Sequence, residues 1–158
     1  MKIRKAAIGP AREASNYGME VLLIDDQAVT VQVYAAIVRR TFGGARVHVA
    51  VDLTEGLQIA EHRKVDLVLL DLQLQNTSGV HTLNKFRAAA PSIPVLVVAA
   101  AEDRATIHAC LKAGAVGYVP KTSALATLRG ALEKVVAGTL YIPPQAGSPP
   151  LKPAANGN

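Results

Sequence analysis

The chain has 158 residues, half of them apolar, with 18% charged and a formal net charge of +5 at pH 7. That length suits one domain with tails and supports a core without structural metal, and the single cysteine, Cys110, excludes an intrachain disulfide framework and fits a reducing cytoplasm. The longest apolar run, Val95 to Ala101, falls far short of the ~20 residues a spanning helix needs. The basic residues between Met1 and Pro10 are not followed by an apolar stretch long enough for a signal peptide, and no Lys/Arg block with interleaved aromatics marks nucleic-acid binding. The expectation is a cytoplasmic protein with no membrane segment and no direct nucleic-acid contact.

Residues 1 to 19 are polar, Ala-rich and broken by Gly9-Pro10, which predicts a flexible extension. The first strand is expected over Val21 to Ile24, ending at Asp25-Asp26. Val29, Val33, Ile37 and Thr41 then recur at helical spacing, with Arg39-Arg40 near the end and Gly43-Gly44 as the stop. From Ala45 to Val51, valines at 47, 49 and 51 alternate with Arg46, His48 and Ala50, the period of a half-buried edge strand. Asp52 or Thr54 can cap a helix from Leu53 to Arg63, with Leu57 and Ala60 inward.

Val65 to Leu70 contains the uninterrupted apolar run Leu67 to Leu70 and delivers Asp71 at its end, as expected of a parallel strand covered on both faces. The turn cluster Gln75 to Gly79 follows, then a helix from Val80 to Ala90 stopped by Pro91. Val95 to Ala99 is a second apolar strand. Glu102 or Asp103 opens a helix carrying Ile107, Cys110 and Leu111 that closes at Gly114. Gly117 to Val119 forms the short last strand before Pro120-Lys121. Ser123 is the expected cap of the final helix, whose stripe is Leu125, Leu128, Leu132, Val135 and Val136, with Gly138 as terminus. Residues 139 to 158, with prolines at 143, 144, 149, 150 and 153, read as linker or tail. The domain is thus expected over residues 20 to 138.

Five strands alternating with five helices predict an α/β doubly wound parallel sheet, and ligand crevices in such sheets open at the C-terminal strand ends. There the sequence places Asp25-Asp26, Asp71 and Lys121. Singly, the acids could be helix-cap or turn residues and the lysine a solvated one. Jointly they form an acidic pocket with one ammonium, suited to a hard divalent cation. The histidines at 48, 62, 81 and 108 show no metal-ligand spacing, and Cys110 sits where a core residue belongs.

Val21-Leu22-Leu23-Ile24-Asp25-Asp26, Asp71-Leu72-Gln73-Leu74, Gly114 to Lys121, and Gly138-Thr139-Leu140-Tyr141-Ile142-Pro143-Pro144 resemble the receiver domain of two-component response regulators, most closely the NarL/LuxR class. The resemblance implies a flavodoxin-like (βα)5 fold with strand order 2-1-3-4-5. It implies Asp71 as the acceptor of a phosphoryl group from a sensor histidine kinase or phosphotransfer protein, and Lys121 as a phosphoryl contact. It implies Mg²⁺ held by Asp26 and Asp71, by Asp25 partly through water, and by the Gln73 backbone carbonyl. Tyr118 matches the aromatic switch residue, although a strand tyrosine with a satisfied hydroxyl fits as well. A DNA-binding output domain following this chain, and dimerisation through the last and first helices, are further expectations of the same kind.

Two positions depart from the family. Ala99 stands where receivers carry Ser or Thr, so no hydroxyl is available there, and Gln75 stands where many carry proline. The first departure motivates an alternative, a degenerate receiver acting as a phosphorylation-insensitive binding module. A metal-dependent phosphatase resembling the haloacid dehalogenases would want an acid at residue 73, where Gln73 stands. The chain is therefore expected to be no enzyme beyond self-phosphotransfer and slow self-dephosphorylation.

Overall fold

The computed structural model describes residues 18–147. Strands β1 (Glu20–Ile24), β2 (Arg46–Ala50), β3 (Leu67–Leu70), β4 (Val95–Ala99) and β5 (Gly117–Pro120) alternate with helices α1 (Ala28–Thr41), α2 (Leu53–His62), α3 (Val80–Ala89), α4 (Arg104–Lys112) and α5 (Leu125–Val136). The strands pair in parallel in the order β2-β1-β3-β4-β5, the expected flavodoxin-like topology. Successive side chains alternate faces. Leu22, Ile24, Val68, Leu70, Val95 and Val97 therefore pack with Leu83, Phe86, Ile107 and Cys110 of α3 and α4. Val21, Leu23, Leu67, Leu69, Leu96 and Val98 pack instead with Ala35 and Val38 of α1 and Leu128, Leu132 and Val135 of α5. Because both faces are covered, β3 and β4 are buried along their whole length, which is why their sequences are continuous apolar runs. The edge strand β2 is mostly half-buried or exposed, as its alternation predicts.

Asp52 caps α2 through the Glu55 N–H, while the Glu55 side chain reaches back to the Val51 N–H. Asp103 caps α4 through the N–H and hydroxyl of Thr106. Two details differ from expectation. The inward face of α1 is Val31, Tyr34, Ala35, Ile37 and Val38, and Val29 is 76% exposed. The covered side is thus centred on Ala35 and Val38, which are buried, and leaves the Val29 end of the helix in solvent. In α5 the N-cap is Ala124 without a side-chain bond, and Leu125 is exposed. Ser123 instead donates its N–H to the Pro120 carbonyl in the turn after β5, and the helix starts one residue later than expected.

The packed chain also runs past the boundary expected at Gly138. That glycine, at φ 88°, turns the chain back, and Tyr141 bridges in parallel to Gly117 on the open edge of β5. The Tyr118 N–H donates to the Tyr141 carbonyl at 3.2 Å and the Tyr141 N–H to the Val116 carbonyl at 3.0 Å. A 3₁₀ turn, Pro144–Ala146, then buries Ala146, whose carbonyl accepts from His108 Nε2 at 2.9 Å. Proline lacks an N–H and so suits a segment at a sheet edge. Its abundance here marks an edge strap up to residue 147, while the rest of the predicted tail and residues 1–17 of the predicted extension lie outside the described residues. At the other end Met19 belongs to the fold: it packs on the core, and its carbonyl accepts the Arg46 N–H at 2.8 Å. Among the described residues no helix is long and apolar enough to cross a membrane.

Candidate functional site

All five strands point the same way, so their C-terminal ends share one edge, and three residues continue the ladder there. The Asp25 N–H donates to the Ala50 carbonyl at 3.0 Å, the Asp71 N–H to Ile24 at 3.0 Å, and the Lys121 N–H to Ala99 at 2.8 Å. Peptide pairing thereby fixes where each side chain emerges. Lys121 Nζ lies 2.9 Å from Asp25 Oδ2 and 2.9 Å from Asp71 Oδ2. It also donates to Gln27 Oε1 at 3.1 Å. Each buried acid accepts a backbone N–H two residues on: Gln27 to Asp25 Oδ1 at 2.9 Å, and Gln73 to Asp71 Oδ1 at 3.1 Å. Asp26 is exposed, yet one carboxylate oxygen from each of Asp25, Asp26 and Asp71 lies within 4.8 Å of the others.

The charges explain the titration. Burial raises the Asp71 carboxyl above its ordinary value; the Lys121 hydrogen bond, the Gln73 N–H and the Lys121 charge act the other way, and the Asp25 charge adds to the rise. Burial works against the Lys121 ammonium, but its bonds to Asp25 and Asp71 outweigh this and raise it. The two shifts are both upward for different reasons: burial dominates at Asp71, whereas the two carboxylate partners of Lys121 outweigh its burial. Burial also raises the Tyr34 hydroxyl beside this group; the Lys121 charge opposes this, and the Asp25 and Asp71 charges add to it.

Of the residues singled out from sequence, Asp25, Asp26, Asp71 and Lys121 converge. Gln73 adjoins them through its backbone, with its side chain exposed. Ala99 is buried at the end of β4, and its methyl brings no hydrogen-bonding group. Tyr118 is fully buried, and its hydroxyl donates to the Ala101 carbonyl at 2.6 Å, so it is satisfied by backbone. Burial raises that hydroxyl, with the Cys110 thiol next. Cys110 is itself buried, its thiol pushed up to about 11 by burial and then by the Asp103 charge, which makes it inert. Gln27, and Thr82, whose buried hydroxyl donates to the Leu72 carbonyl at 2.7 Å, were not foreseen. The amide directly following an acidic pair was the available signal for Gln27, whereas Thr82 carries none in sequence.

The donor set fits a divalent cation. It is all oxygen, carries three formal negative charges against one ammonium, and has one exposed member through which an ion could enter with its waters. Residues 21–133 match the model of the response regulator receiver domain, and the chain belongs to that family. It is the receiver domain of a two-component response regulator, a class that binds Mg²⁺ in an acidic pocket, interacts with histidine kinases or phosphotransfer proteins, and is generally not a true enzyme. The glycerol metabolism activator of Pseudomonas putida is 31% identical over 126 residues, covering 79% of this chain and 57% of that protein. A LuxR family DNA-binding response regulator from Silicibacter pomeroyi superposes with a TM-score of 0.70 at 27% identity, covering 79% of this chain and 97% of that one. A response regulator from Burkholderia pseudomallei, solved with a phosphorylated aspartic acid, calcium ion and citrate, superposes with a TM-score of 0.62 at 27% identity, covering 75% and 69%. The chain spans 57% and 51% of the length of two curated relatives it matches and only 28% of a third.

Proposed function

We propose that Asp71 accepts a phosphoryl group from a histidine kinase or phosphotransfer protein and that this modification is the signal the domain carries. One observation carries the reading: a single ammonium lies 2.9 Å from carboxylates delivered by two different strands, at a pocket whose third acid faces solvent. The Burkholderia relative, with its phosphorylated aspartic acid and calcium ion, supports it. Asp25, Asp26, Asp71 and the Gln73 backbone carbonyl would hold Mg²⁺, which when bound supplies charge neutralisation for the anionic donor. Asp71 stays ionised as nucleophile while Gln73 N–H orients its Oδ1. Its oxygen forms the new O–P bond as the P–N bond to the donor histidine breaks, and the imidazole leaves with the electron pair. Lys121, already at hand, follows the charge from carboxylate to phosphoryl oxygen. Self-phosphotransfer from small donors and slow self-dephosphorylation use the same groups. We place the protein in the cytoplasm, with α1 and α5, which lie side by side, as the face of a homodimer.

Incubation with acetyl phosphate and Mg²⁺ is expected to add one base-labile, hydroxylamine-sensitive phosphoryl group; Asp71→Asn should abolish it and chelator should suppress it. Absence of label under any donor would remove this reading. Ala99 favours a second one, a module indifferent to phosphorylation, because β4 offers no hydroxyl and Tyr118 is already inward. Unchanged oligomeric state and partner affinity with beryllofluoride bound would select it.

A further inference from the structure

We infer that Thr82 is a positioning residue that holds the Asp71 carboxylate in place through a single peptide group. Thr82 lies in the first turn of α3 and is fully buried. Its hydroxyl donates to the Leu72 carbonyl at 2.7 Å and lies 3.0 Å from Thr77 Oγ1. A hydroxyl has one proton. Since a carbonyl can only accept, the Thr82 proton points at Leu72, and the Thr77 hydroxyl must donate to Thr82. The result is a directed chain, Thr77 to Thr82 to Leu72, in which each bond polarises the next.

The Leu72 carbonyl and the Gln73 N–H belong to the same peptide, which is planar and rigid. Thr82 grips its oxygen end, and its N–H end donates to Asp71 Oδ1 at 3.1 Å. Holding both ends fixes the plane, and with it the direction from which the N–H meets the carboxylate. Without the Thr82 hydroxyl the plane is free to swing, and Asp71 loses its fixed orienting donor. The rest of the loop anchors Thr77: Leu74 and Thr77 exchange backbone hydrogen bonds around Asn76, which adopts φ 66°. The function of this clamp rests on the reading of Asp71 as nucleophile and metal ligand; its geometry does not.

The test compares Thr82→Val, which preserves shape and removes the hydroxyl, with Thr82→Ser, which restores it. Mg²⁺ affinity by titration calorimetry is expected to weaken about tenfold in Thr82→Val and to return in Thr82→Ser. The Gln73 amide resonance should move upfield in the valine variant and return with serine, in the absence of metal. Should Thr82→Val not fold, Thr77→Val takes its place, with Mg²⁺ binding weakened less than about tenfold and a smaller Gln73 shift in the same direction. Wild-type Mg²⁺ affinity with an unmoved Gln73 amide in the valine variant, or a folded serine variant that fails to recover, overturns the proposal. If the wild type binds no Mg²⁺ while the Gln73 amide still responds to Thr82, the clamp stands and the reading of Asp71 fails.

Discussion

Replacing Lys121 with alanine is expected to destabilise the metal-free protein by about 3 kcal/mol, the lower end of the cost of breaking a buried ion pair. The lysine side chain is 15% exposed and those of Asp25 and Asp71 only 7% and 4%, so its removal leaves buried carboxylates facing one another. The loss has a pH signature. Folding raises the Asp71 carboxyl, so the folded state holds its proton more tightly than the unfolded chain, and stability falls as pH rises from the ordinary carboxylate value through the folded one. In the variant the opposing lysine is gone, the folded value climbs further, and the fall becomes larger and extends to higher pH. Adding millimolar Mg²⁺ should recover most of the loss, because a divalent ion supplies the missing positive charge. Thermal unfolding at several pH values, with and without Mg²⁺, measures this; equal melting temperatures for variant and wild type in chelator would remove the electrostatic account.

Gly117→Ala is expected to peel the strap from the edge of β5 at a cost of roughly 1–3 kcal/mol, the usual range for overpacking. A Cβ there would stand 2.9 Å from Leu96 Cδ1, 2.9 Å from the Tyr141 carbonyl oxygen and 3.0 Å from Tyr141 Cβ. Leu96 is fully buried in the central layer and cannot retreat. The strap is held across β5 by two backbone hydrogen bonds and farther on by the His108 contact, so it is the partner that moves. Hydrogen exchange at the Tyr141 amide should accelerate while amides of β1 and β3 keep their protection. An unchanged Tyr141 amide would show that the core yields instead.

The sequence made the central sheet legible because β3 and β4, buried on both faces, admit only apolar residues, and the acids at 25, 26 and 71 interrupt such runs where the chain leaves the core. The order of the strands came from resemblance and not from the pattern. Of the residues at helical spacing in α1, Ile37 packs on the core while Val29 is exposed, because spacing gives the period of a helix and not which side of it is covered. The strap was taken for linker because composition reports what prolines cannot do in a core and is silent on an open edge. Gln27 touches Lys121 across 94 positions and Thr82 acts on a backbone carbonyl; neither relation leaves a trace in local spacing.

The ladder bonds that carry Asp25, Asp71 and Lys121 beyond their strands have a consequence for folding fidelity. Shifting any of these strands by one residue would send its functional side chain to the opposite side of the sheet and dissolve the cluster. A cation captured by the three acids would therefore reward only the correct alignment, acting as a proofreader of strand pairing as well as an aid to chemistry.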